Sequence, residues 1–461
     1  MEKWHFRWSN CKANANVSLA YLLRFKPSQI VLMSFVGMIV LGTILLMLPW
    51  STTNGQGLQA VDALFVSTSA SCVTGLTVVD VHNDLSLFGT VVLLGLIQVG
   101  GLGIMTLATL LAHSLGHRLE LRENLVLRES LNQESQDGLV GLIRRIIQYT
   151  FAVEGFFAVL LTIHFSSEFG FDAIGYGIFH SVSAFCNAGF DLFGNYDSLC
   201  KRNEDFFLMN CLAILIMLGG IGFTVMADVV NRRRWRKFSL HTKLVLVVNT
   251  IVILVGTLLI FGVEAENPAT IGQLGLAEQL ENAFFTSVSC RTAGFNSFDL
   301  AATEQTTQMT MISLMFVGAS PLSTGGGIKI TTFAIILLSI WATLRGRSEI
   351  VLFGRSISRR LRDQSFVIFT MGTLWVVTAG MLLAIVDNEQ NKFLEVIFET
   401  VSGFGTVGMG IGITQEWDAW GKLLLSLTML VGRVGIMTFM VSFVEQSSTA
   451  VKYPSEDIMI G

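Results

Sequence analysis

Four glycines, Gly75, Gly189, Gly294 and Gly408, lie 114, 105 and 114 residues apart, and each closes a string that opens on a phenylalanine ten residues earlier. Aligned without gaps, the strings read FVSTSASCVTGL, FHSVSAFCNAGF, FFTSVSCRTAGF and FETVSGFGTVGM. Their common chemistry is that of exposed backbone. A short helix ending in Thr or Asn, a small residue and Gly aims its C-terminal end, worth roughly half a negative charge, at whatever lies beyond it. Gly adopts the angles that turn carbonyls inward and, lacking a side chain, lets four backbones approach one ion. Four such turns make a ring of oxygens that can replace a cation's hydration shell. The candidate ligands are the carbonyls of Val73, Thr74, Asn187, Ala188, Thr292, Ala293, Thr406 and Val407, beside the four glycines. A single copy would read as loop punctuation or a helix-packing contact; four at this spacing favour one shared site.

The elements that position these turns follow from composition. The 461 residues are 52% hydrophobic and 14% charged, with a mean hydropathy of +0.62, against about 25% charged in a soluble domain. Lipid is the solvent for most of such a chain. Apolar stretches at 30–49, 87–111, 146–165, 207–229, 244–263, 308–342, 366–386 and 421–444 are each long enough to cross roughly 30 Å of hydrocarbon. Between the members of each pair lies a shorter apolar segment, at 61–74, 176–188, 281–293 and 394–407. About 14 residues of helix cover only about 21 Å, so these dip in and return. The expected fold is an all-α polytopic membrane protein with four span, pore-loop, span units around a central pore and eight transmembrane helices. Pore units fall at 30–116, 146–230, 244–344 and 365–444, cytoplasmic segments at 1–29, 117–145, 231–243, 345–364 and 445–461.

Charge fixes the orientation. Of 30 lysines and arginines, 23 lie in the terminal and inter-unit segments on one side, which places both termini in the cytoplasm. The opposite segments carry 21 of the 34 acids, an electronegative mouth that concentrates cations. A net charge of −4 gives no field for nucleic acid. The first apolar stretch exceeds a signal-peptide core and lacks a cleavage site, so it reads as a retained span.

The last string continues as Gly405-Thr406-Val407-Gly408-Met409-Gly410 and resembles the potassium-channel filter with Met in place of Tyr. The whole set is similar to the superfamily of Trk, Ktr and HKT potassium transporters, over essentially the full chain, and most resembles the Ktr-type membrane subunit. The resemblance implies K⁺ uptake across a bacterial inner membrane, Na⁺-dependent or Na⁺-stimulated. It also implies a homodimer seated on a ring of cytosolic nucleotide-binding regulatory subunits, with 451–461 as a candidate dimer contact. Gly75 matches the K⁺-selective pattern of the family's first filter. Leu76, Phe190, Phe295 and Met409 follow the glycines, and only the fourth string has a second Gly two residues on, so one principal site is expected rather than a channel's queue. Arg291 is expected to point away from the axis and pair with an acid. The alternative is an H⁺- or Na⁺-coupled secondary transporter, or a Na⁺-conducting relative, of the same fold.

The sixth apolar stretch is too long for one helix and is interrupted by Gly318-Ala319-Ser320-Pro321-Leu322-Ser323-Thr324-Gly325-Gly326-Gly327, followed by Lys329. Backbone of this kind at membrane depth needs a cavity or polar neighbours. The resemblance favours an intramembrane gate below the third turn, with Lys329 in the path of the ion; a kinked helix with a snorkelling Lys329 is the plainer alternative. Arg433, midway along the last span, is expected to bond the carbonyls of that loop, the alternative being an ion pair with Asp228 or Glu154. Gly100, Gly101, Gly103, Gly219, Gly220 and Gly222 read as helix-packing positions.

Enzyme chemistry finds little support. Ser320 has no well-placed histidine base, His113 and His117 lack the Glu of a zinc-protease helix, and the six cysteines form no CxxC pair. With no phosphate-binding or dinucleotide glycine motif, no organic cofactor is expected. K⁺ is the transported ion, with Na⁺ as a further candidate; membrane lipid is the remaining partner.

Overall fold

The computed structural model describes residues 26–103, 139–347, 349–387 and 392–443. His113, His117, the end of the second apolar stretch, most of the 117–145 segment and the 451–461 tail lie outside the described residues. The first unit contains α1 (Pro27–Leu46), the short α2 (Ala60–Ser71) and α3 (Leu87–Leu102). The second contains α4 (Leu139–Phe169), α5 (Ala173–Phe185), α6 (Phe206–Gly220) and α7 (Phe223–Arg232). The third has α8 (Leu240–Glu264), α9 (Leu276–Ser289), α10 (Gln305–Phe316) and α11 (Ile330–Leu344). A small antiparallel hairpin, β1 (Ile350–Leu352) with β2 (Arg355–Ile357), leads to the fourth: α12 (Arg359–Val386), α13 (Phe393–Gly405), α14 (Ala419–Val434) and α15 (Ile436–Phe443).

Polarity is distributed as lipid requires. The long helices expose Val36, Leu41 and Ile44, Phe151, Phe156 and Ile163, Leu254 and Leu258, and Leu374 and Ile385, while the short helices bury Ser67, Ser69, Ser181, Ser183, Ser287 and Ser402. Buried hydroxyls stitch short helix to long one: Ser67 donates to the Ile39 carbonyl and Ser287 to that of Ile253, both at 2.8 Å, and Ser181 to that of Glu154 at 2.7 Å. The described residues contain four helical segments long and apolar enough to cross a membrane, and six if each bent pair counts once. Three of the eight apolar stretches are divided, the sixth as its sequence announces. α6 and α7 meet at 95°, α14 and α15 at 101°, and the 318–327 loop separates α10 from α11. Gly103, Gly222 and Gly435, with φ of 83°, 95° and 89°, end or break their helices. Gly103 and Gly222 therefore also serve as breaks, because a left-handed residue cannot continue a right-handed helix, and Gly222 is a close contact as well, since a Cβ there would lie 2.7 Å from the Pro321 carbonyl oxygen. Gly100, Gly101 and Gly219 do pack closely, against Ser71, Cys186 and Phe185.

Between units the contacts run in one direction. α3 packs on α5, α6 on α9, α10 on α13, and α14 returns to α2. The chain closes a ring.

Candidate functional site

The four glycine turns sit at the centre of that ring, each against the next. A Cβ on Gly75 would lie 2.5 Å from the Ala188 carbonyl oxygen and one on Gly189 2.7 Å from that of Ala293. On Gly294 it would strike the Val407 carbonyl, and on Gly408 that of Thr74. The structure thus brings Gly75, Gly189, Gly294 and Gly408 together in cyclic order.

Each turn repeats one backbone pattern that the glycines alone did not announce. Val73, Asn187, Thr292 and Thr406, two residues before the glycines, have φ of 57°, 58°, 72° and 49°, and the glycines themselves 100°, 71°, 83° and 93°. Left-handed angles are costly for β-branched residues, about 1–3 kcal/mol each, and persist where the surroundings over-determine them. Left-handed residues on either side of an ordinary one let successive carbonyls face one side, whereas an extended strand would alternate them.

The amides of the turns are used up by the helices behind them. Thr74, Ala188 and Val407 N–H groups donate to the Ser69, Ser183 and Ser402 carbonyls at 2.7, 2.7 and 2.9 Å. Gly75 and Gly408 N–H groups donate to the Ser69 and Ser402 hydroxyls, both at 3.1 Å. Ser183 and Ser289 hydroxyls instead donate to the Phe190 and Phe295 carbonyls, at 2.6 and 2.7 Å. These serines are functional positions that reading for glycines missed; the signal was a Ser six residues before the Gly in three of the four strings.

The carbonyls have no such partners. Among the described residues no hydrogen bond ends on the backbone oxygens of Val73, Thr74, Asn187, Ala188, Thr292, Ala293, Thr406 or Val407, and all eight residues are fully buried. Buried carbonyls are nearly always paired. Those of Thr74, Ala188, Ala293 and Val407 lie where one turn abuts the next, an arrangement of unpaired oxygens suited to taking the place of water about a cation.

On one side the ring opens into a cavity of about 140 Å³ lined by the four glycines, Asp80, Asp191, Glu399 and Tyr196. Asp80 ties the loop before α3 to the second unit, accepting from the amides of His82 at 2.9 Å and of Asn195. Burial, with Asp80 and Asp197 nearby, pushes the Asp191 carboxyl up to about 6. Glu399, fully buried behind the fourth turn, accepts from the Ile411 N–H at 3.1 Å and the Thr414 hydroxyl at 2.5 Å.

On the other side lies the 318–327 loop. The Thr324 hydroxyl is 3.2 Å from the Phe185 carbonyl and 3.0 Å from Asn187 Oδ1, and Gly326 N–H donates to Thr406 Oγ1 at 3.0 Å. Gly325 is pressed on Thr292. The loop therefore touches the left-handed residue of three turns. Its backbone is held by Ser320 N–H to the Gly220 carbonyl at 3.1 Å, Phe223 N–H to that of Leu322 at 2.8 Å and Gly327 N–H to that of Gly432 at 3.3 Å. Arg433 donates to the Thr324 carbonyl and to those of Gly100 and Gly101, the last at 3.3 Å, which joins loop, first unit and fourth unit. Asp228 and Glu154 pair elsewhere, with Arg232 and Gln98. Lys329 Nζ folds back onto the Gly325 carbonyl at 2.7 Å. Arg291 corrects its sequence expectation: it meets no acid among the described residues, and its guanidinium donates to the Val317 and Gly318 carbonyls at 3.0 and 2.9 Å. The fork geometry of Arg suits two adjacent carbonyls freed where α10 ends.

A mostly helical, multi-pass membrane chain with a central ring of backbone oxygens defines an ion-transport protein. A family model described as TrkH, a cation transport protein, matches residues 23–453. The chain belongs to that family of transporters and is not an enzyme. It is 39% identical over 440 residues to the Ktr system potassium uptake protein B of Bacillus subtilis (strain 168), covering 95% of this chain and 98% of that protein. It is likewise 39% identical to the protein of the same name from Vibrio alginolyticus, covering 94% of each. To the potassium/sodium uptake protein NtpJ of Enterococcus hirae it is 35% identical, over 95% of this chain and 98% of that one. In fold it is similar to the solved potassium transporter TrkH from Vibrio parahaemolyticus, with a TM-score of 0.68 over 89% of this chain and 84% of that one at 18% identity.

Proposed function

We propose that this chain takes up K⁺ across a bacterial inner membrane through a single carbonyl-lined filter. The ion is held by the oxygens of Val73, Thr74, Asn187, Ala188, Thr292, Ala293, Thr406 and Val407, with Gly75, Gly189, Gly294 and Gly408 permitting the close approach. The observation that carries this reading is the cyclic abutment of four turns whose buried carbonyls lack donors among the described residues. The names of the relatives support K⁺ as the cargo, and that of the Enterococcus protein supports a role for Na⁺. In this reading four units supply eight spans, the second spans of the second, third and fourth units being bent or interrupted, and both termini are cytoplasmic.

Residues 318–327, with Lys329 and Arg433, form the gate. The loop lies directly against three of the four turns, and Arg433 locks its tip to the first unit. In this reading the protein works as a homodimer on a cytosolic ring of nucleotide-binding regulatory subunits; the name of the Bacillus subtilis relative, protein B of a Ktr system, supports its being one component of a larger system. Ion flux in proteoliposomes, with K⁺, Na⁺ and membrane potential varied separately, tests the proposal. Saturable K⁺ flux that exceeds Na⁺ flux at equal driving force supports it. Flux of Na⁺ alone replaces it with the Na⁺-conducting reading, and K⁺ movement only with a co-ion gradient replaces it with the coupled-transporter reading.

A further inference from the structure

On the side of the ring away from the Asp80 and Asp191 cavity, α7 turns 95° from α6 and its basic end meets the β1–β2 hairpin. Arg232, Arg236, Lys237, Lys243 and Arg355 line one concave pocket there, together with Phe238, Leu240 and Phe353. Only Arg232 of these five cations has a carboxylate partner among the described residues, its Nε lying 2.7 Å from Asp228 Oδ1. The other Asp228 oxygen is taken by the Ser239 N–H at 2.9 Å and the Thr242 hydroxyl at 2.7 Å. Among the described residues the pocket's five cations face one carboxylate, which leaves a positive charge of four.

Its surroundings are not those of a purely aqueous surface. Lys243 Nζ stands 5.6 Å over the Phe353 ring, and Trp235 packs edge-on against both Phe238 and Phe353. Trp235 and Phe353 are themselves 46% and 50% exposed, beside exposed Val229, Val230 and Val351. At the end of α11, which leads into the hairpin, Trp341 is exposed and Arg345 stands 4.3 Å from its ring centre. Cations over half-exposed aromatic rings, bordered by exposed aliphatic side chains, match the headgroup zone of a bilayer, where phosphate sits above acyl chain.

We propose that this pocket binds the phosphate of an anionic phospholipid, with Arg236, Lys237, Lys243 and Arg355 around the headgroup and the acyl chains along the adjoining apolar surface. The site bears on the loop as well, since α7 continues from α6, whose Gly219 and Gly220 carbonyls accept the Thr324 and Ser320 amides at 3.3 and 3.1 Å.

The test is thermal unfolding of the full-length protein in detergent with added phosphatidylglycerol, phosphatidylcholine or inorganic phosphate. Phosphatidylglycerol should raise the unfolding temperature of the unmodified protein, and the other two should not. In the double variant Arg236→Gln, Arg355→Gln the concentration of phosphatidylglycerol needed should rise roughly tenfold or more. The double variant Arg359→Gln, Arg360→Gln, which removes equal charge from exposed positions outside the pocket, should respond like the unmodified protein. Lys237→Gln with Lys243→Gln serves as the second pocket variant if the first folds poorly. An equal shift with phosphatidylcholine or inorganic phosphate, no shift with phosphatidylglycerol, or equal weakening in pocket and control variants overturns the proposal.

Discussion

Gly75→Ser tests the ring at a turn where a side chain would collide with the backbone of its neighbour. Its Cβ would lie 2.5 Å from the Ala188 carbonyl oxygen and 3.1 Å from Gly189 Cα, and the backbone there has φ of 100°. Both neighbours are backbone of the next turn, so rotating a side chain cannot relieve the contact. Holding an L-residue at such angles costs about 1–3 kcal/mol. If the turn relaxes by displacing the Ala188 carbonyl, that strain appears as lost ion binding. At about 1.4 kcal/mol per tenfold, K⁺ affinity should fall about 5- to 150-fold. A looser ring should also discriminate less, so the K⁺/Na⁺ ratio falls with it. Gly155→Ser is the control, because nothing lies within 4 Å of a Cβ there. The assay is the concentration dependence of K⁺ uptake in proteoliposomes, normalised to folded protein, in the presence and absence of Na⁺. Unchanged affinity and unchanged K⁺/Na⁺ ratio in a folded Gly75→Ser protein would refute the placement of Gly75 in the ion path.

Shortening the 318–327 loop, or Arg433→Ala, should increase K⁺ flux per folded molecule while keeping the K⁺/Na⁺ ratio, since the ring is untouched; unchanged or lower flux in well-folded variants sinks the gate. Ser402→Ala removes the acceptor of the Gly408 N–H and leaves that amide unpaired, a loss of about 1–3 kcal/mol. It should weaken K⁺ affinity more than Ser426→Ala, a hydroxyl bonded within its own helix. The Asp191 carboxyl, held up near 6 against its usual 3.8, keeps a proton between those values that the unfolded chain has lost. Its contribution to stability therefore falls as pH rises from about 4 to about 6. In the folded protein the ionisation is centred near 6 and makes the cavity more negative, so uptake at low K⁺ should rise as pH passes through about 6 and flatten in Asp191→Asn, as measured by initial rates at fixed external pH.

Legibility followed the physics of each residue type. The four turns could be found because only glycine meets the need for close approach, and glycine at a fixed offset from phenylalanine recurs visibly. The left-handed angles of Val73, Thr292 and Thr406 were invisible, because β-branched residues favour the opposite backbone and only the closed ring imposes the strain. Hydropathy marks where apolar residues lie but not whether the helix through them is continuous. Gly222 and Gly435 therefore bend their spans without any dip in the pattern, whereas the Pro and triple Gly after Gly318 announced an interruption. Charge arguments favoured a carboxylate as the partner of Arg291, which instead satisfies itself on the carbonyls of Val317 and Gly318, left open where a helix ends. For Arg433 the interrupted loop was visible in the sequence, and the expected bond to a loop carbonyl is the one to Thr324, while the further bonds to Gly100 and Gly101 were not foreseen. The hydroxyls of Ser69 and Ser402 were legible in principle from their shared offset, but serine in a short apolar helix is equally expected for packing alone.

The central claim is that one cation sits where the four turns abut. The most direct measurement is anomalous scattering from crystals of the protein grown with Rb⁺ in place of K⁺. One principal peak is expected on the ring axis, within direct coordination distance of the Thr74, Ala188, Ala293 and Val407 carbonyl oxygens, and it should weaken in Gly75→Ser. A peak confined to the carboxylates of Asp80, Asp191 and Glu399, with none at the ring, would contradict it.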